Sequence, residues 1–177
     1  MKKFEIVTPV ESLAYDELSS DDKKLVDIAS EAAREAYAPY SGFYVGAAIL
    51  LDDGTIITGN NQENAAFPSG MCAERTAAFY AHAQFPRLKF KKIAISAVGS
   101  NGKTLTEPIS PCGACRQALL EYETIAGEPV EILLHCPDKI YRIPSVRSLL
   151  PLSFSEIPND ATSSEDGLVK AVCSEEG

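Results

Sequence analysis

"GMCAERTAAFY" (Gly70–Tyr80) places a cysteine two residues ahead of a glutamate where an irregular stretch gives way to a helix. The preceding "NNQENAAFPSG" reads as loop, and a helix is expected from about Cys72 to Ala83, which puts Cys72 and Glu74 at its start. "SPCGACRQALL" (Ser110–Leu120) repeats the device, with Cys112 and Cys115 on the first turn of a second helix. Such a constellation needs a scaffold that brings two helix starts together.

Working outward, Leu25, Ile28, Ala29, Ala32, Ala33 and Ala36 fall on one face of an amphipathic helix over Asp21–Tyr37. Ser20 is the expected N-cap, two aspartates suit the first turn, and Pro39 ends the element. In "FYVGAAILLDDGTIITGN", two apolar runs flank Asp53-Gly54, the signature of a tight hairpin. "KKIAISAVGS" reads as a buried strand, "SNGKT" as a turn, "EPVEILLHC" and "KIYRI" as further strands, and "SVRSLLP" as a short helix. Helices alternating with strands favour an α/β sandwich with a largely buried sheet.

The chain has 177 residues, one domain's worth, with 16 Lys and Arg against 25 Asp and Glu, a net charge of −9. No basic cluster suits a polyphosphate backbone, which disfavours long nucleic acid as a substrate. No long apolar run suits a membrane span, and "MKKFEIVTPVESL" lacks the apolar core of a signal peptide, so a cytoplasmic location is expected. From Ser155 onward six acids face one lysine in a serine-rich run, which reads as a disordered tail over 155–177 after a domain of 1–154.

Five cysteines and a C-x-x-C point to metal or redox use. Cys136, closing an apolar strand, reads as a small core hydrophobe, and Cys173 lies in the tail. Helix starts lower thiol pKa values, so Cys112 and Cys115 suit thiolate chemistry. A third thiol at another helix start, Cys72, favours a zinc ion held by three sulfurs with its fourth position left to water. His82, His135, Cys136 and Cys173 are the other candidate donors, and none repeats a paired ligand spacing. Glu74 beside a ligand can take a proton from the zinc-bound water and pass it on, the chemistry of hydrolytic deamination. "CAE" and "PCGAC" fill the zinc-deaminase pattern in which Cys replaces His.

"YAPYSGFYVGAAILLDDG", "TGNNQENAAFPSGMCAERTA" and "PCGACRQALLE" together resemble the cytidine deaminase family in its small, three-cysteine, homotetrameric form, from about Leu25 to Phe154. The resemblance implies a three-layer helix–sheet–helix sandwich with a mixed, mostly buried sheet of about five strands. It implies one Zn²⁺ per subunit on Cys72, Cys112 and Cys115, Glu74 as proton shuttle, and conversion of cytidine and deoxycytidine to the uridine forms in pyrimidine salvage. Asn61 and Glu63 match a pair that binds sugar hydroxyls; an amide and a carboxylate two apart on extended chain also point the same way on physical grounds. Phe43 matches an aromatic on the pyrimidine, the Ala73 backbone a contact to the base carbonyl, and Phe154 a contact reaching a neighbouring subunit's site. The partner implied is a small nucleoside. Asn60 and Phe67 depart from the family's usual cysteine and tyrosine.

Three thiolates leave zinc a poorer Lewis acid than a site with a neutral His, and a guanidinium donating to sulfur would offset that. Arg75 and Arg116 are the candidates. Competing readings are a deaminase of another cytosine nucleoside, such as an antibiotic, a non-catalytic zinc-stabilised module, and a dithiol oxidoreductase using Cys112 and Cys115.

Overall fold

The computed structural model describes residues 2–99 and 105–155. The expected turn at 100–104 and nearly all of the tail, Cys173 included, lie outside the described residues.

Six strands form one sheet: β1 (Glu11–Leu13), β2 (Tyr44–Leu51), β3 (Ile56–Asn60), β4 (Phe90–Val98), β5 (Glu131–Cys136) and β6 (Lys139–Ile143). Their order is β1-β6-β5-β4-β2-β3. Only β4 and β5 run parallel; every other neighbouring pair is antiparallel. Helix α1 (Ser20–Arg34) covers one face, and α2 (Ala73–Gln84) and α3 (Gly113–Ala126) cover the other. This is the expected helix–sheet–helix sandwich, with one strand more than the pattern suggested. The sixth is β1, a three-residue edge contributed by the N-terminal lead and paired with Ile140–Arg142.

Alternation along the strands supplies both cores. On β2, Val45, Ala47, Ile49 and Leu51 point towards α2 and α3, while Ala48 points towards α1. Leu25, Val26 and Ala29 close the α1 side against Ala48, Ala94, Leu133 and Ile140. Two glycines let the helices lie close. A Cβ on Gly46 would stand 2.1 Å from the Ala29 carbonyl oxygen of α1, and one on Gly59 would stand 2.4 Å from the Ala77 nitrogen of α2.

Several local readings shift. The α1 N-cap is Ser19, not Ser20: its Oγ accepts from the Asp22 N–H at 3.2 Å. The helix ends at Arg34, short of Tyr37, whose N–H donates to the Asn61 carbonyl instead. The hairpin connection spans residues 52–55, longer than a two-residue turn. Gly54 has φ 89°, and the Asp53 carboxylate accepts from the Thr55 N–H at 2.8 Å.

Candidate active site

The starts of α2 and α3 meet on one side of the sheet. Cys72 is the N-cap of α2 and Cys112 the N-cap of α3, and neither thiol caps its own helix. Cys115, fully buried, sits on the first turn of α3. The Cys72 and Cys112 sulfurs are 3.9 Å apart, those of Cys112 and Cys115 3.4 Å, and all three lie within 4.8 Å of one another. Tetrahedral zinc–thiolate bonds of about 2.3 Å require sulfurs roughly 3.8 Å apart, so the donor set fits that ion in kind and in spacing.

The other candidate donors are elsewhere. His82 leans on the Tyr122 ring, His135 Nδ1 is 3.0 Å from the Ser96 hydroxyl, and Cys136 is buried in the sheet. Among the described residues, the three thiols are the one group placed to hold a metal.

The Cys72 and Cys115 thiols differ in acidity. The hydrogen bond with Cys115, helped by Arg75 and opposed by burial, brings the Cys72 thiol down to about 5. Cys115 moves up, through that same hydrogen bond, burial and the charge of Glu74. Arg75 donates from Nη2 to the Cys72 sulfur at 3.6 Å, and its Nε is buried without a partner among the described residues. Arg116 turns elsewhere: its three nitrogens each donate one hydrogen bond, to Pro111, Ser110 and Leu149. Adjacency to a ligand did not decide which arginine reaches sulfur; Arg75, one helical turn beyond Cys72, faces it.

Glu74 lies in the first turn of α2 and is only 4% exposed. Burial raises its pKa, and the Cys72 thiolate adds to that; its own backbone N–H, the Cys115 thiol and Arg75 act against it. Ala73, the first residue of that helix, is buried, and its N–H is among the donors that a helix start leaves without an intrahelical acceptor.

A backbone ladder joins this cluster to the second group of predicted residues. Gln62 exchanges both backbone hydrogen bonds with Met71, the residue before Cys72, at 2.9 and 2.8 Å. Asn61 and Glu63 flank that bridge. The Asn61 side chain accepts from the Val45 N–H at 2.7 Å and donates to the Phe43 carbonyl at 3.0 Å, so one N–H and one acceptor site remain. The Glu63 carboxylate accepts from the Ser41 hydroxyl and from the Tyr40 and Ser41 backbone N–H groups. Those bonds, the Ser41 hydroxyl first, hold its pKa below the ordinary value. Ser41 was not legible as a partner, because it lies 22 residues away in a loop with no marking of its own.

Glu63 lines a cavity of about 360 Å³ together with Tyr40, Ser41, Asn64, Phe67 and Gly70. Phe67 meets Tyr40 edge to face with ring centroids 5.8 Å apart, a contact that needs no hydroxyl. Phe43 is half-buried just before β2, and Phe154 is 67% exposed beyond the last turn.

Residues 19–126 match the family described as the cytidine and deoxycytidylate deaminase zinc-binding region, a span holding all three cysteines and Glu74. The chain belongs to this deaminase family. A cytidine deaminase of Sporosarcina psychrophila is 47% identical over 102 residues, 58% of this chain and 70% of that protein. The crystal structure of a cytidine deaminase from Burkholderia pseudomallei is 38% identical with a TM-score of 0.62, covering 74% of this chain and 97% of that one. One from Mycobacterium tuberculosis is 33% identical with a TM-score of 0.61, covering 78% and 100%. As a member of the family the protein is a zinc-dependent deaminase, with zinc as its cofactor. No helix among the described residues is long and apolar enough to cross a membrane.

Proposed function

We propose that the protein hydrolyses cytidine and deoxycytidine to uridine and deoxyuridine with release of ammonia, in pyrimidine salvage. The observation that carries this reading is a buried carboxylate, Glu74, two residues from one of three clustered thiols that no other described side chain joins.

Zinc held by Cys72, Cys112 and Cys115 would supply a Lewis acid that makes water nucleophilic at neutral pH. The rest is the work of side chains. Glu74 accepts a proton as water adds to C4 of the cytosine ring, and delivers it to N3. It then carries the second proton to the exocyclic amine; the C4–N bond breaks, ammonia leaves and the C4 carbonyl forms. Arg75, bonded to the Cys72 sulfur, draws charge from the ligand set. In this reading the Ala73 N–H donates to the base carbonyl and Phe43 packs against the ring. Asn61 and Glu63 take the sugar hydroxyls with the hydrogen-bonding sites they have left.

In the same reading the deaminase unit spans residues 1–154, with an acidic segment 155–177 beyond it. Four copies assemble so that Phe154 reaches a neighbour's site, and the enzyme works in the cytoplasm, where thiols stay reduced. Ammonia release from cytidine by wild type and Glu74→Gln, with zinc content measured in both, tests the assignment. Turnover is expected to vanish with the metal retained; parallel loss of zinc would make Glu74 structural and overturn the mechanism.

A further inference from the structure

Arg116 follows Cys115 on the first turn of α3, and its guanidinium makes three hydrogen bonds, each at 2.8 Å. Nε donates to the Pro111 carbonyl, Nη2 to the Ser110 hydroxyl and Nη1 to the Leu149 carbonyl. The next side chain, Gln117, donates from Nε2 to the Phe154 carbonyl at 2.8 Å. Two consecutive residues therefore grip the segment from Leu149 to Phe154 at both ends. They fasten it to the turn that carries two of the three sulfurs.

The segment needs such grips. Leu149 is buried and Leu150 packs against the core, so apolar contact secures its beginning. Beyond them Leu152 is 84% exposed and sits at φ 54°, a left-handed conformation that disfavours a leucine. A residue held this way persists only where its surroundings over-determine it. Past Leu152, the Gln117 bond is what the described contacts offer to fix Phe154.

We propose that Arg116 and Gln117 are positioning residues for substrate binding: by clamping the Leu149–Phe154 segment to the cysteine turn of α3, they set where Phe154 stands. The proposal rests on the reading of Phe154 as a substrate contact in a neighbouring copy. Its prediction is a change in KM with little change in kcat, since the clamp touches no reacting atom.

The test uses zinc-loaded, full-length Gln117→Ala, Phe154→Ala and the double variant, with cytidine kinetics and amide hydrogen exchange over residues 149–155. Gln117→Ala should raise KM several-fold, leave kcat within about two-fold, and speed exchange in the segment. The double variant should show the KM of Phe154→Ala alone, because a clamp has nothing left to position. An equal KM increase from Gln117→Ala in both backgrounds would overturn the proposal, as would wild-type KM and exchange in Gln117→Ala. A wild-type KM in Phe154→Ala sinks the reading of Phe154 itself, whatever the exchange data say of the clamp. For Arg116, Arg116→Lys keeps one donor group and should exchange at a rate between wild type and Arg116→Ala; identical rates in all three would remove the guanidinium from the clamp.

Discussion

Glu74 and Glu123 are both buried, 4% and 7% exposed, on the two helices that share the zinc side of the sheet, yet they are solvated in opposite ways. Glu123 lies in the last turn of α3, the wrong end of a helix for a negative charge. It is surrounded by donors: the Val130 N–H at 3.0 Å, the Val146 N–H at 2.7 Å, the Arg147 N–H at 3.2 Å and the Ser145 hydroxyl at 2.8 Å. Those bonds clamp α3 to the entry of β5 and to the turn after β6. Glu74 sits at the favourable end of α2 with few such donors and a thiolate for a neighbour. Burial is common to both. What separates the Glu123 clamp from the proton carrier proposed for Glu74 is how many hydrogen bonds the carboxylate has already made.

The largest expected effect breaks the pair apart by chemistry. Glu74→Gln should lower kcat by at least about 10²-fold, the usual scale of general acid–base assistance, with zinc and melting temperature close to wild type. Glu123→Ala should do the reverse. It strands buried N–H groups, costing about 3 kcal/mol, which lowers the melting temperature by roughly 10 °C while kcat/KM of the folded enzyme stays close to wild type. Calorimetry beside steady-state kinetics on both variants decides; similar profiles would show that donor count does not distinguish the two roles.

Arg75→Gln sharpens the Glu74 side. Removing the donor to the Cys72 sulfur should reduce kcat about ten-fold with zinc content unchanged by metal analysis. Undiminished turnover would remove the charge-compensation argument.

The smallest effect comes from a third buried carboxylate, Asp22, on the α1 face. Burial pushes its pKa up, but the hydrogen bonds with Lys92 and Ser19 and the charges of Lys92 and Arg142 outweigh it, so its pKa lies below the ordinary aspartate value. A depressed carboxyl stabilises the fold above its unfolded pKa and loses that contribution as pH falls through the folded value. Asp22→Asn should therefore lower the melting temperature by a few degrees at pH 7, roughly 1–2 kcal/mol. The difference from wild type should shrink below about pH 4. A pH-independent difference would mean the ion pairs are not its origin.

The sandwich and the sulfur trio were legible because both rest on local patterns: apolar periodicity, turn residues, and thiols at helix starts. What escaped rests on contacts distant in sequence. β1 has three residues and no alternation to announce it; its place comes from pairing with β6 and from Glu11 meeting Arg142 at 3.3 Å. The α1 cap is Ser19 rather than Ser20 because its hydroxyl is the one that reaches the Asp22 N–H, a contact settled only in three dimensions. Nothing near Glu123 in sequence marks its role, because its donors come from residues 130 and 145–147. Arg116 was misplaced for the same reason: its farthest partner is 33 residues on.

The two-bond ring between Gln62 and Met71 has a mechanical consequence. Asn61 and Glu63 cannot slide relative to the Cys72 sulfur without tearing a rung of backbone, so the two jaws of the site keep a fixed gauge. On the proposed reading, in which one jaw takes the ring and the other the sugar hydroxyls, that gauge selects for the spacing of a furanosyl pyrimidine over molecules with a longer or shorter bridge.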